Sequence, residues 1–105
     1  MDDAGTQFCQ VRRQDDVSYL HGRLTFETYP SMREALEDIL CHCAPRHVID
    51  MSALQHIDSA GLGMLLIASE EMKRANKLLV LRAASGQVRR VLDVTRMGTL
   101  MTIED

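Results

Sequence analysis

The chain alternates repeatedly between strand-like and helix-like apolar patterns within 105 residues. This confines it to a layered α/β domain in which right-handed crossovers carry helices over a sheet. Phe8–Arg12 and Val17–Phe26 read as two strands joined at Asp15 and Asp16, a hairpin turn. Pro30 and Ser31 then open a helix, with Ser31 as N-cap and Glu34 three residues on as its capping-box partner. Met32, Ala35, Leu36, Ile39, Leu40 and Cys43 form its apolar stripe, and Pro45 ends it. His47–Ser52 reads as a strand, and Leu62 to about Ala75 as a helix with Leu62, Leu65, Leu66, Ser69 and Met72 inward. Leu78–Arg82, almost wholly apolar, suits a strand buried under helices. Ser85 caps a third helix that turns Val88, Val91 and Leu92 inward. Gly98 closes it, and Leu100–Ile103 is the last strand. The expected order is β-β-α-β-α-β-α-β, a single domain over 1–105 with a mixed sheet of about five strands and about three helices. Residues 1–6 are expected to be frayed.

In such sheets function gathers where strands feed helix N-termini. Here that junction is the turn Asp58, Ser59, Ala60 and Gly61. Either Asp58 or Ser59 serves there as a helix N-cap, a common role for both residue types. The same position also suits modification, because free N–H groups and partial positive charge at a helix N-terminus accept a phosphate. A phosphate on Ser59 adds roughly −1.5 to −2 charge, altering what the surface docks against without unfolding the domain. Gly61 and Gly63 each forgo about 1 kcal/mol of helix propensity and in return let another backbone come close. Ile57, Leu62 and Met64 are the candidate apolar rim.

The run Asp58-Ser59-Ala60-Gly61-Leu62-Gly63 after Val48-Ile49-Asp50-Met51-Ser52 resembles the signature of STAS domains, anti-sigma factor antagonists in particular. Leu20-His21-Gly22-Arg23-Leu24 is similar to the family strand ending in Gly-x-Leu. Val88, Val91, Leu92 and Thr95 are similar to its last helix. The resemblance implies a STAS-like fold and a cytoplasmic partner-switching protein that is not itself an enzyme. Its unmodified form would bind an anti-sigma factor, a serine kinase of histidine-kinase-like fold. Phosphorylation of Ser59 would release that partner, and a PP2C-type phosphatase would reset the switch. Asp58 would orient the turn, and the chain would be a monomer or weak homodimer. Many switch members carry Asp where this chain has Thr25, and a second Ser where it has Ala60. The family's C-terminal helix is expected to be short or absent, since Asp105 follows the last strand so closely. The alternative within the family is a non-switching accessory subunit of a lipid-transporting ABC complex, with Ser59 structural.

Other function classes find little support. The net charge of −3 and four aromatics argue against nucleic-acid binding. The near-continuous apolar run Leu62–Ala68 is far below the roughly 20 residues that span a bilayer. Met-Asp-Asp-Ala-Gly lacks the basic and apolar start of a secretory signal. Three cysteines fit a reducing compartment. Cys41, His42, Cys43 and His47 include zinc-ligand types, but Cys41 and Cys43 point apart on a helix, so no metal or other cofactor is expected. His56, Asp58 and Ser59 supply triad residue types without the Gly-x-Ser-x-Gly elbow, and no His follows Ser59. Met64, Met97 and Met101 suit either core filling or an adaptable face. Charge is uneven: residues 1–72 hold twelve acids and five bases, and residues 73–96 seven bases and one acid. Glu70/Arg74 and Arg89/Asp93 are spaced for helix-surface pairs.

Overall fold

The computed structural model describes residues 9–14, 16–41 and 45–104. The expected fraying of residues 1–6, Phe8 of the first strand, Asp15 of the turn, His42 and Cys43 lie outside them. Strand β1 is Cys9–Gln14, β2 is Val17–Leu24, β3 is Arg46–Ile57, β4 is Leu78–Arg82 and β5 is Thr102–Glu104. The helices are α1 (Tyr29–Cys41), α2 (Ser59–Arg74) and α3 (Gly86–Val94). Short 3₁₀ turns at Phe26–Thr28 and Met97–Thr99 complete the chain. The sheet runs β1-β2-β3-β4-β5, with β1 antiparallel to β2 and the other pairs parallel. The expected element order and mixed α/β class are therefore present.

All three crossovers advance in the same direction across the sheet, so right-handedness puts the helices on one face. From that face Leu20, Leu24, Ile49, Met51, Leu79 and Leu81 meet Met32, Ile39, Leu65, Met72, Val88 and Leu92 in a single core. The helical periodicities thus pointed at the right side chains. Leu62 and Leu66 are only half-buried, whereas Gly61, Met64 and Ala68 are buried. Met97 and Met101 are buried too, so the methionines fill the core.

Several boundaries differ from those expected. Strand β2 stops at Leu24, because Thr25 and Thr28 build their own turn. Thr25 N donates to Thr28 Oγ1 (2.9 Å), and that hydroxyl donates to Thr25 O (3.0 Å). The turn feeds directly into α1, so Ser31 lies inside the helix and not at its N-cap, and Pro30 occupies the first turn, where its missing N–H costs nothing. Strand β3 continues five residues past Ser52, by pairing with β2 beyond the end of β4. Helix α2 begins three residues before Leu62, at Ser59. Helix α3 ends at Val94, before Gly98. Thr95 Oγ1 bonds the carbonyls of Val91 (2.7 Å) and Leu92 (3.3 Å), and Arg96 turns the chain away at φ 55°. Strand β5 consequently starts at Thr102.

The basic stretch proves largely neutralised. Lys73 pairs with Glu70, Arg74 with Glu71, Arg82 with Asp50 and Arg89 with Asp93. Glu70 therefore takes Lys73 one turn away in place of the expected Arg74.

Candidate functional site

Helix α2 starts at the distal end of β3, and Asp58 fastens that junction. Its Oδ1 accepts from Gly61 N at 2.8 Å, so Asp58 is the N-cap and Ser59 is not. Its Oδ2 accepts from Phe26 N at 3.2 Å, and Asp58 N donates to Leu24 O at 3.3 Å. One residue thereby ties the β2–α1 connection to the start of α2. Gly61 makes this contact sterically feasible. A Cβ there would stand 2.3 Å from Leu24 O and 2.8 Å from Ile57 Cγ1. The backbone that comes close to Gly61 is therefore the chain's own. At Gly63 nothing lies within 4 Å of such a Cβ, so that notch opens outward.

Gln87 of α3 holds the turn from its other side. Its Nε2 donates to Ile57 O at 2.9 Å and its Oε1 accepts from Ile57 N at 3.0 Å. The side-chain amide thus replaces the strand partner that Ile57 lacks beyond the end of β4.

Ser59, held between these anchors, is exposed. Among the described residues its hydroxyl makes no hydrogen bond, because Asp58 has already satisfied the Gly61 amide. Ala60 and Leu62 are half-buried beside it, whereas Ile57 (1% exposed) and Met64 (6%) lie beneath the surface. Ile57 and Met64 support the turn from below. Surface apolar area comes instead from Phe26 (75% exposed), Tyr29 (42%) and Ile67 (57%). Thr25, where many switch proteins of the resembled family carry Asp, is buried in the turn that presents Phe26.

A second polar cluster occupies the opposite sheet face. Arg82 Nε and Nη2 bond Asp50 Oδ2 at 3.0 and 2.8 Å. Burial pushes the Asp50 carboxyl up. Bonds from Ser52 N (2.9 Å) and Oγ (2.6 Å), together with Arg82, outweigh burial and hold it below the usual carboxylate range. Asp50 in turn raises the Arg82 guanidinium. Asp50, Ser52 and Arg82 bond one another within the chain, so the cluster is structural. His47 is likewise a core residue, buried against Ser18 Oγ at 2.7 Å, whereas Cys41 is exposed.

The family model described as the Mlab STAS domain matches residues 9–102. The chain belongs to the STAS family. A STAS-domain containing protein of Pseudomonas aeruginosa is 29% identical over 90 residues, spanning 86% of this chain and 88% of that protein. Among solved structures, an anti-sigma factor antagonist from Mycobacterium paratuberculosis superposes with TM-score 0.75 at 23% identity, covering 91% and 83% of the two chains. The Bacillus cell fate determinant SpoIIAA in its phosphorylated form gives 0.63 at 17% identity, covering 90% and 89%. At these identities the superpositions establish the shared fold. No helix among the described residues is long and apolar enough to cross a membrane.

Two residues packed around this turn, Gln87 and Phe26, do not stand out in the sequence. Gln87 carries no signal of its own, since one Gln in a helix's first turn matches no motif. Phe26 reads in the sequence as the end of a strand. The signal that relocates it is the Thr-x-x-Thr spacing of Thr25 and Thr28, which favours a local side-chain turn over strand continuation.

Proposed function

We propose that this STAS protein is a phosphorylation-controlled binding switch of the anti-sigma factor antagonist type, with Ser59 as acceptor. The observation that carries the reading is the exposed Ser59 hydroxyl at the first position of α2, left free by an N-cap that Asp58 supplies. The unmodified surface binds an anti-sigma factor, a serine kinase of histidine-kinase-like fold. Ser59 Oγ attacks the γ-phosphorus of the kinase's ATP; the new O–P bond forms as the bond to ADP breaks, and the hydroxyl proton passes to a base on the kinase. The surface residues around the turn, Ala60, Leu62 and Gly63, form the contact, with Asp58, Gly61, Ile57 and Met64 as its footing. The phosphate must be hydrated, so covering it with a partner is costly, and the complex separates. A PP2C-type phosphatase hydrolyses the ester and restores the binding form.

The anchors explain why such a change need not unfold the domain. Asp58, Gln87 and the Gly61 contact all lie behind Ser59, and a phosphate at a helix N-terminus is itself favoured by roughly 0.3–1 kcal/mol. Support from relatives is that a protein of this fold has been solved in a phosphorylated form. The chain performs no catalysis in this scheme, requires no cofactor or metal of its own, and works in the cytoplasm as a monomer or weak homodimer.

The test is a pull-down from native cells with wild type and Ser59→Asp as paired baits, read by mass spectrometry. A kinase-fold protein retained by wild type and lost with Ser59→Asp is the expected result. Equal recovery of one ABC ATPase by both baits would replace the switch with a scaffold subunit of a lipid-transporting complex.

A further inference from the structure

Six large apolar side chains are exposed among the described residues, and three of them, Phe26, Tyr29 and Ile67, belong to α1, the turn before it and α2. Tyr29, Arg33 and Ile67 wall a small groove between α1 and α2 whose floor is Met32, Leu36 and Met64. The bond from the Phe26 amide to Asp58 holds the backbone of Phe26 beside the start of α2, three residues before Tyr29, and its side chain is exposed there. Exposed apolar side chains grouped at a groove suit an interaction site.

We propose that this groove receives an amphipathic helix of the partner protein, with Phe26 as the anchoring side chain. The proposal rests on the switch reading above and specifies the partner's docking element. Three observations select a helix with a basic end. First, Ser59, Gly63 and Ile67 are spaced four apart on α2, a line about 12 Å long. That length matches two turns of a docked helix. Second, the open notch at Gly63, midway along this line, admits a second backbone close to α2. The groove offers side chains and no unpaired strand edge, so strand addition has nothing to pair with. Third, Glu27 and Asp58 at the Ser59 end pair with no cation among the described residues. Further along, Arg33 meets Glu37, Lys73 meets Glu70 and Arg74 meets Glu71. The complementary helix therefore carries an apolar stripe and places Lys or Arg at the Ser59 end. A phosphate on Ser59 would act through its bulk and bound water, holding that helix off the Gly63 notch.

The experiment places a photo-crosslinking phenylalanine analogue at position 67 of the full chain in its native cells, with position 94 of α3 as the control. Val94 is as exposed as Phe26. The crosslinked segment is then sequenced by mass spectrometry. The expected result is one adduct, specific to position 67, on a protein segment with apolar residues at helical spacing and a basic end. Phe26→Ala and Gly63→Leu should each lower its yield at least tenfold while circular dichroism stays unchanged. Capture of some protein without that segment chemistry gives no support. The proposal is overturned by no adduct at position 67, equal adducts at 67 and 94, an adduct to lipid or to a second copy of this chain, an acidic or non-helical segment, or yields indifferent to both substitutions. A Ser59→Asp arm separates the two readings. An adduct that persists in Ser59→Asp keeps the groove and removes the switch. A Ser59-sensitive partner captured by pull-down without a position-67 adduct keeps the switch and removes the groove.

Discussion

Replacing either Gly61 or Gly63 by Ala tests the site's architecture in a single comparison. Both glycines lie in the first turns of α2, so both replacements gain up to about 1 kcal/mol of helix propensity. Their surroundings differ sharply. At Gly61 the added Cβ would stand 2.3 Å from the carbonyl oxygen of Leu24, which is backbone and cannot swing away. Leu24 O also accepts from Asp58 N, so relieving the clash separates β2 from the start of α2 and stretches that bond. Forced overpacking costs about 1–3 kcal/mol, and backbone against backbone belongs at the upper end. The net expectation for Gly61→Ala is a loss of about 2 kcal/mol, or roughly 8–16 °C in Tm for a domain of this size. Gly63→Ala meets no atom within 4 Å and should gain up to about 1 kcal/mol. Urea unfolding followed by circular dichroism measures both. Gly61→Ala as stable as wild type, or Gly63→Ala as damaging as Gly61→Ala, would refute the argument that a backbone contact selects glycine at 61 alone.

Two further expectations concern the polar anchors. Gln87→Ala leaves the N–H and C=O of Ile57 without their partner and should cost about 1–3 kcal/mol, with faster hydrogen exchange at the Ile57 amide than elsewhere in β3; unchanged exchange there would remove Gln87 from the site. Asp50 is held below the usual carboxylate range when folded, so the stability it contributes is fully present above its unfolded value near 3.9 and is lost as pH falls through the lower folded value. Asp50→Asn should therefore lower stability at neutral pH by about 1–2 kcal/mol and flatten the acid limb of the stability curve, measured by urea midpoints from pH 7 down to pH 2; parallel acid limbs would contradict the Arg82 and Ser52 assignment.

What the sequence determined by itself was set by local chemistry and by spacing. Core side chains of α1, α2 and α3 followed from three- and four-residue apolar steps, because a helix buries one face whatever lies opposite. The β-α alternation with short connections left a layered mixed sheet as the consistent architecture, and the Asp58–Gly63 run marked the junction where β3 feeds α2. Tertiary structure decided the rest. Asp58 caps α2 through one oxygen while its other oxygen is claimed by Phe26 N, a partner 32 residues away in sequence. Gly61 and Gly63 read alike in one dimension and separate only when Leu24 O arrives over the first. Ile57 and Met64 read as rim and became footing, since β3 ran on to Ile57 beside β2 and carried both positions inward. Gln87 was silent until α3 brought it to a strand end with unpaired backbone groups. Neighbouring residues can specify periodicity and caps, but contacts between segments distant in sequence form only once the chain has folded, and the exposed face of Ser59 is built from such contacts.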